Sequence, residues 1–251
     1  MQVAIALVTC DRAQFGQPNY FDATWGSLAR AGLFEQIENG DAFSIFDAGP
    51  GRARAEHLQA AYAVQAFGGP DHMRLDVVRN MHRAFAWMAG TGCEFGMLLP
   101  DDLLMCRNTL ARAKAWVDGR DGKYVSLYSL SSQYNWTMAP ANVARGWAPY
   151  AVADFYGGLG AIVPREVLVG YLLSDFRQVV ERRTSGVDMA LHHYLESVDA
   201  TLLAHCPNLI RHVGMGSTLG HKHREDDHYF PGESFDALSG DYGGGEEAGK
   251  A

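Results

Sequence analysis

The feature that most constrains the fold is the stretch CEFGMLLPDDLLMCR, from Cys93 to Arg107. Phe95, Met97, Leu98 and Leu99 form an apolar run that suits a buried parallel strand, and two adjacent carboxylates, Asp101 and Asp102, follow where that strand should end. In an open α/β sheet, ligands bind at the carboxyl ends of the strands. Adjacent carboxylates repel each other unless water screens them or a cation sits between them, and an oxygen-preferring divalent ion does this well. The dyad is therefore a candidate metal site. The alternative is a solvated acidic turn that caps a helix starting near Leu103.

Upstream, Val3 to Val8 reads as a central strand opening into the polar residues Thr9, Cys10, Asp11 and Arg12, which puts Thr9 and Arg12 at the ligand edge. Tyr20, Phe21, Trp25, Leu28 and Leu33 recur at helical spacing, with Gly32 as a stop. Phe43 to Phe46 is a strand that ends at Asp47, before the turn-forming AGPG. An acidic residue there either accepts hydrogen bonds from a ribose hydroxyl or a base N–H, or simply forms the turn. Alanine-rich Ala55 to Phe67 is expected to be helical up to the Gly68-Gly69-Pro70 break. A further helix, with Asp76 as its N-cap, carries Val78, Met81, Phe85 and Met88 on one face and Arg79, His82 and Arg83 on the other. Arg79 and Arg83 either hold phosphate oxygens or are solvated.

Beyond the dyad, Leu110 to Val117 reads as a helix and Tyr124 to Leu130 as a strand. Ser131 to Tyr150 is expected to be irregular because of Pro140 and Pro149. Its Tyr134, Trp136, Trp147 and Tyr150 either stack on a sugar or base or fold into the core. FYGGLGAIVP, Phe155 to Pro164, fails the dinucleotide fingerprint; glycines such as Gly158 instead let backbone pass close to a ligand. Arg165 to Leu173 is an amphipathic helix. Asp188 falls at or just inside the N-terminus of another, where the helix dipole stabilises a carboxylate and a general base can face a cleft. His221, His223, Asp227 and His228 match no zinc spacing and read as solvated loop.

With 47% hydrophobic residues, the 251-residue chain can bury a sizeable core, expected as one domain over residues 1–238 with a disordered Gly/Glu-rich tail at 239–251. A net charge of -8 excludes general adhesion to nucleic acid or anionic membrane, although Arg177, Arg182, Arg183, Arg211, Lys222 and Arg224 form local basic groups. The four cysteines include no C-x-x-C pair, which excludes a disulfide framework or zinc ribbon and suits a reducing setting. The N-terminal apolar run is too short to span a bilayer and lacks a leader pattern. A cytoplasmic protein without membrane insertion is the expectation.

Three features together resemble the GT-A-type glycosyltransferases: LLPDDL at Leu98 to Leu103, VVRNMHRAF at Val77 to Phe85, and the ordered series FYGGLGAIVP, GVDMALHHYL, PNLIRHVGMGSTLG. The last segment, RHVG with Ser217 and Leu219 after it, is similar to the inverting N-acetylglucosaminyltransferases that branch N-glycans. Pro100 departs from the family pattern where relatives carry another acidic or a hydrophobic residue, and the expected Golgi anchor is missing, which points to a bacterial or viral relative. The resemblance implies a three-layer α/β sandwich with a mostly parallel central sheet. It also implies a Mn²⁺- or Mg²⁺-dependent enzyme that moves a sugar from a nucleotide-sugar donor, a UDP-sugar foremost, to an acceptor hydroxyl. The acceptor would be a glycan, a small molecule or a hydroxymethylated base in viral DNA. By the same resemblance Asp102 is the main metal ligand and His212 completes the coordination, touches a phosphate, or is an ordinary loop histidine. Thr9, Arg12, Asp47, Arg79, Asp101 and Gly158 border the donor, and Asp188 is the base. The other readings are a non-catalytic nucleotide-sugar-binding protein, or a nucleotidyltransferase on a related sheet. The latter normally has a Gly-rich basic phosphate loop after its first strand, which VTCDRAQFG hardly offers.

Overall fold

Alternation along the first strand, β1 (Val3–Thr9), separates two apolar cores. Val3, Ile5 and Leu7 join Leu28, Met97, Leu99, Leu110 and Trp116 on one side. Ala4 and Ala6 join Phe46, Phe85, Leu98, Tyr171 and Leu191 on the other. A sheet buried on both faces must have a layer on each side, and the period-2 side-chain alternation of its strands fills both. The structure is a computed structural model of the chain. It describes residues 1–10, 18–47, 63–66, 73–117, 124–128, 139–150, 160–178, 187–214 and 230–239.

After β1 the chain forms α1 (Phe21–Arg30), β2 (Ala42–Asp47), β3 (Ala63–Ala66), α2 (Met73–Gly90) and β4 (Phe95–Pro100). It continues through β5 (Leu103–Met105), α3 (Thr109–Val117), β6 (Tyr124–Ser126), α4 (Pro140–Arg145), β7 (Trp147–Tyr150) and β8 (Ala161–Pro164). The last elements are α5 (Arg165–Leu173), α6 (Val187–Ser197), β9 (Leu202–His205) and β10 (Ile210–His212). Among the described residues the central sheet has eight strands in the order β3-β2-β1-β4-β8-β6-β9-β7. β3, β2, β1 and β4 are mutually parallel, as are β6 and β9; β8 and β7 run against their neighbours. Helices α1 and α3 line one face, and α2, α5 and α6 the other. The expected three-layer sandwich with a mostly parallel sheet is what forms.

The second face is built from small residues. Ala4, Ala6, Ser44 and Gly96 let α2 and α5 approach closely, and a Cβ on Gly96 would lie 2.8 Å from both Met88 Sδ and Leu168 Cδ1. His82, expected on the polar face of α2, is instead buried against α5, its Nε2 2.9 Å from the Tyr171 hydroxyl.

Several local expectations need correction. Ala63–Ala66 is a strand paired with β2, not the end of a helix. Asp76 lies inside α2, which begins at Met73. The region around Pro140 and Pro149 contains α4 and β7, and Trp147 packs against the first core. The segment after the dyad is the strand β5, and the next helix begins at Thr109. Phe230, Phe235 and Ala237 also join the first core, and Arg107 exchanges backbone hydrogen bonds with Phe235 and Ala237. Among the described residues, no helix is long and apolar enough to cross a membrane.

Candidate active site at the strand carboxyl ends

Sheet topology fixes where the site lies. From β1 the chain runs outward to β2 and β3, then returns to place β4 on the opposite side of β1. The strand order reverses between β1 and β4, and such a switch point opens a crevice at the carboxyl ends of the strands. Thr9 pairs with Asp47 of β2, and Val8 pairs with Pro100 of β4, so Asp101 follows at the same level. Asp47, Thr9 and Asp101 therefore occupy one edge of the sheet. Asn80, from the N-terminal half of α2, closes that edge from above: its Nδ2 donates to Phe46 O at 2.7 Å and reaches Thr9 O at 3.5 Å. Arg79, the preceding residue on the helix, is exposed.

The two dyad carboxylates face different partners. Asp101 is 2% exposed and accepts hydrogen bonds from Thr9 Oγ1 at 2.7 Å and from the Cys10 N–H at 3.4 Å. Asp102 is 5% exposed, with its Oδ2 3.0 Å from His212 Nε2. A solvated capping turn is thereby excluded, since both carboxylates are buried and a strand follows them. His212 arrives through β10, which pairs antiparallel with β5 and sets His212 opposite Leu103. The Val213 N–H extends this pairing by donating to Asp102 O at 2.8 Å. The dyad backbone is held from the other side by Thr24 of α1. Its fully buried hydroxyl lies 2.7 Å from Asp101 O and 3.0 Å from Leu103 O, and accepts the Leu103 N–H at 3.0 Å.

These residues suit a divalent cation. Asp102 Oδ2 and His212 Nε2 stand 3.0 Å apart, at hydrogen-bond distance, and would offer such an ion one carboxylate oxygen and one imidazole nitrogen. Gly214 leaves space beside both atoms. A Cβ there would collide with Asp102 Oδ2 and come within 3.0 Å of His212 Nε2. One carboxylate oxygen and one imidazole nitrogen suit Mn²⁺ better than Mg²⁺, which prefers an all-oxygen shell. The one group of three or more His, Cys, Asp or Glu side chains that converges among the described residues lies elsewhere, at His192, His193 and Glu196 of α6. There Glu196 is exposed and 3.7–4.0 Å from the two imidazoles, at ordinary i,i+3 and i,i+4 helix spacing.

Of the residues expected at the site, the structure brings together Thr9, Asp47, Asp101, Asp102 and His212. Asp188 lies in the first turn of α6, as expected; its side chain, Arg12 and Gly158 are outside the described residues, as are His221, His223, Asp227 and His228. Sequence reasoning missed the roles of Thr24, Asn80 and Gly214. Their only signal is tertiary: a buried threonine in the first turn of a helix, a glycine two residues after a candidate ligand, and an asparagine beside an exposed arginine.

No family model and no curated protein matches the chain. Among solved structures it is similar to S. aureus TarS. The structure of TarS 1-349 aligns with a TM-score of 0.53 and 11% identity, over 81% of this chain and 58% of that one. A second TarS structure aligns with a TM-score of 0.53 and 12% identity, over 81% of this chain and 35% of that one. The chain thus spans just over half of the first TarS structure and about a third of the second. TarS is a glycosyltransferase, and the likeness rests on the same mixed α/β architecture around a mostly parallel sheet. The chain has a GT-A-like α/β fold.

Proposed function

We propose that the protein is a metal-dependent inverting glycosyltransferase that moves a sugar from a nucleotide-sugar donor, a UDP-sugar foremost, to an acceptor hydroxyl. One observation carries this reading: the buried Asp101–Asp102 dyad sits at the switch point of the sheet with His212 Nε2 3.0 Å from Asp102 Oδ2. Such a crevice is where a GT-A-type fold receives a nucleotide, and a buried acid–imidazole pair is a ready set of cation ligands.

Asp102 and His212 would hold Mn²⁺ or Mg²⁺. A bound divalent ion neutralises the charge that develops on the leaving diphosphate. Thr9, Asp47 and Asp101 line the edge on which the nucleoside would lie, and Asp47 is proposed to accept from a ribose hydroxyl or base N–H. Arg79 and Arg12 would face the phosphates, and the backbone at Gly158 would pass close to the sugar. In direct displacement, the acceptor oxygen bonds to the anomeric carbon as the bond from that carbon to the diphosphate oxygen breaks, and the electron pair leaves with the nucleoside diphosphate. Asp188 takes the acceptor proton, as an inverting enzyme requires. The first turn of α6 suits this role, because a helix N-terminus keeps a carboxylate ionised.

The acceptor is proposed as a glycan or a small hydroxylated molecule, which suits an acidic chain. A hydroxymethylated DNA base would need the basic residues around Arg177 and Arg211. The test is a panel of nucleotide sugars incubated with the purified protein and Mn²⁺, following nucleoside diphosphate release. Release from one donor that stops on adding chelator is the expected result. No release, and no thermal stabilisation by any donor, would remove the reading. Sugar transfer to hydroxymethylated DNA, assayed with the active donor, separates the acceptor classes.

A further inference from the structure

We propose that Thr24 is a positioning residue of the metal site, and that its hydroxyl sets the divalent-cation affinity of Asp102 by fixing the backbone on both sides of it. The proposal rests on the reading of Asp102 as a cation ligand and adds the element that holds it in place.

Thr24 is the fourth residue of α1, where a threonine hydroxyl can bond back to the carbonyl four residues earlier, here that of the N-cap Tyr20. Thr24 instead directs its hydroxyl out of α1 and onto the turn after β4. The single proton is shared between Asp101 O and Leu103 O, at 2.7 and 3.0 Å, while the oxygen accepts the Leu103 N–H at 3.0 Å. These three groups bracket Asp102, whose own carbonyl accepts the Val213 N–H from the β10 side at 2.8 Å. The turn is therefore held by α1 on one side and the β10 segment on the other. Thr24 and Asp102 are 0% and 5% exposed, so water is poorly placed to take over a lost bond. Freedom in this backbone becomes freedom in the Asp102 carboxylate, and outer groups that orient a metal ligand typically change affinity ten- to a hundredfold.

The next turn of α1 provides an internal control. Ser27, also fully buried, accepts the Met105 N–H at 2.9 Å. It docks the same helix on the same strand with the same kind of bond, but two residues beyond the bracketed turn. Loss of either hydroxyl weakens the α1–β5 contact, whereas only Thr24 adjoins the Asp102 peptide groups.

The experiment is a Mn²⁺ titration followed by electron paramagnetic resonance. The proteins are wild type, Asp102→Ala, Thr24→Ser, Thr24→Val, Thr24→Ala and Ser27→Ala, each checked for a native circular dichroism spectrum. The expected result is Asp102-dependent binding in the wild type, affinity within about twofold for Thr24→Ser and Ser27→Ala, and a loss of about ten- to a hundredfold for Thr24→Val and Thr24→Ala. Thr24→Val is nearly isosteric, and Thr24→Ala is the second hydroxyl-free variant should the first fold poorly. Wild-type affinity in a folded hydroxyl-free variant overturns the proposal alone. So does an equal loss in Ser27→Ala, which would indicate a general effect of stability. Absence of Asp102-dependent binding in the wild type overturns the reading of Asp102 and the proposal with it.

Discussion

At the turn after β4, neighbouring carboxylates divide two tasks. Asp101 ties the exit of β1 to the dyad through the Thr9 hydroxyl and the Cys10 N–H, while Asp102 turns to His212. Neither task requires the other's partner, which is why two adjacent acids can both be buried. Asp188 stands apart from this pair, in the first turn of α6. Replacing it by asparagine keeps the size and removes the basicity, so Asp188→Asn is expected to lower transfer by about 10²- to 10⁴-fold and to leave donor affinity unchanged. Steady-state turnover and donor calorimetry together check this, and unchanged turnover would take the base role away from Asp188. The dyad was legible in the sequence because its two acids are adjacent after an apolar run. His212 was not visible in that way: it lies 110 residues from Asp102, and β-pairing with β5 brings it there. Resemblance pointed to it; spacing did not.

Among the elements, α2 and α5 pack closely on the small-residue face of the sheet. At Gly96 a side chain would have to displace Met88 and Leu168 together. Gly96→Val is therefore expected to destabilise the fold by about 1–3 kcal/mol, the usual cost of overpacking, as read from urea denaturation; unchanged stability would contradict this packing. The strands β1, β2 and β4 and helices α1 and α5 were legible because their apolar periodicity agrees with their burial. Ala63–Ala66 was not, because an alanine-rich segment is helical by propensity; parallel pairing of Ala63 through Ala66 with Ser44 through Asp47 overrides it. Pro149 misled for a similar reason. Proline is tolerated in an edge strand, and among the described residues β7 is the outermost strand, paired only with β9.

For the molecule as a whole, two polar groups, His205 and Asp41, contribute to the response to acid. His205, the last residue of β9, is buried against Trp116 of α3, with its Nδ1 2.7 Å from Pro207 O and its Nε2 3.3 Å from Arg112 Nε. Arg112 can only donate, so the ring is neutral with its proton on Nδ1. Burial pushes its pKa down to about 3, against about 6.5 in the unfolded chain. The unfolded state gains a proton as pH falls below that value and the folded state does not. Stability is thus full above about pH 6.5 and declines by up to about 1.4 kcal/mol per pH unit towards the folded value. Asp41 acts lower on the scale. Burial pushes it up, but Lys114 at 2.5 Å and the N–H groups of Glu38 and Val3 together hold it below its ordinary value, so its contribution is lost only in stronger acid. A melting temperature that falls between pH 7 and pH 5, with a flatter profile in His205→Asn, is the expected outcome; a flat wild-type profile would contradict a neutral buried His205. The central claim, a cation-assisted transferase site at the β1–β4 switch point, is tested most directly by comparing wild type and Asp102→Ala for nucleoside diphosphate release from the active donor, with and without chelator. The account predicts release by the wild type that chelator abolishes, and none by Asp102→Ala in either condition. Equal release by the two proteins would contradict it.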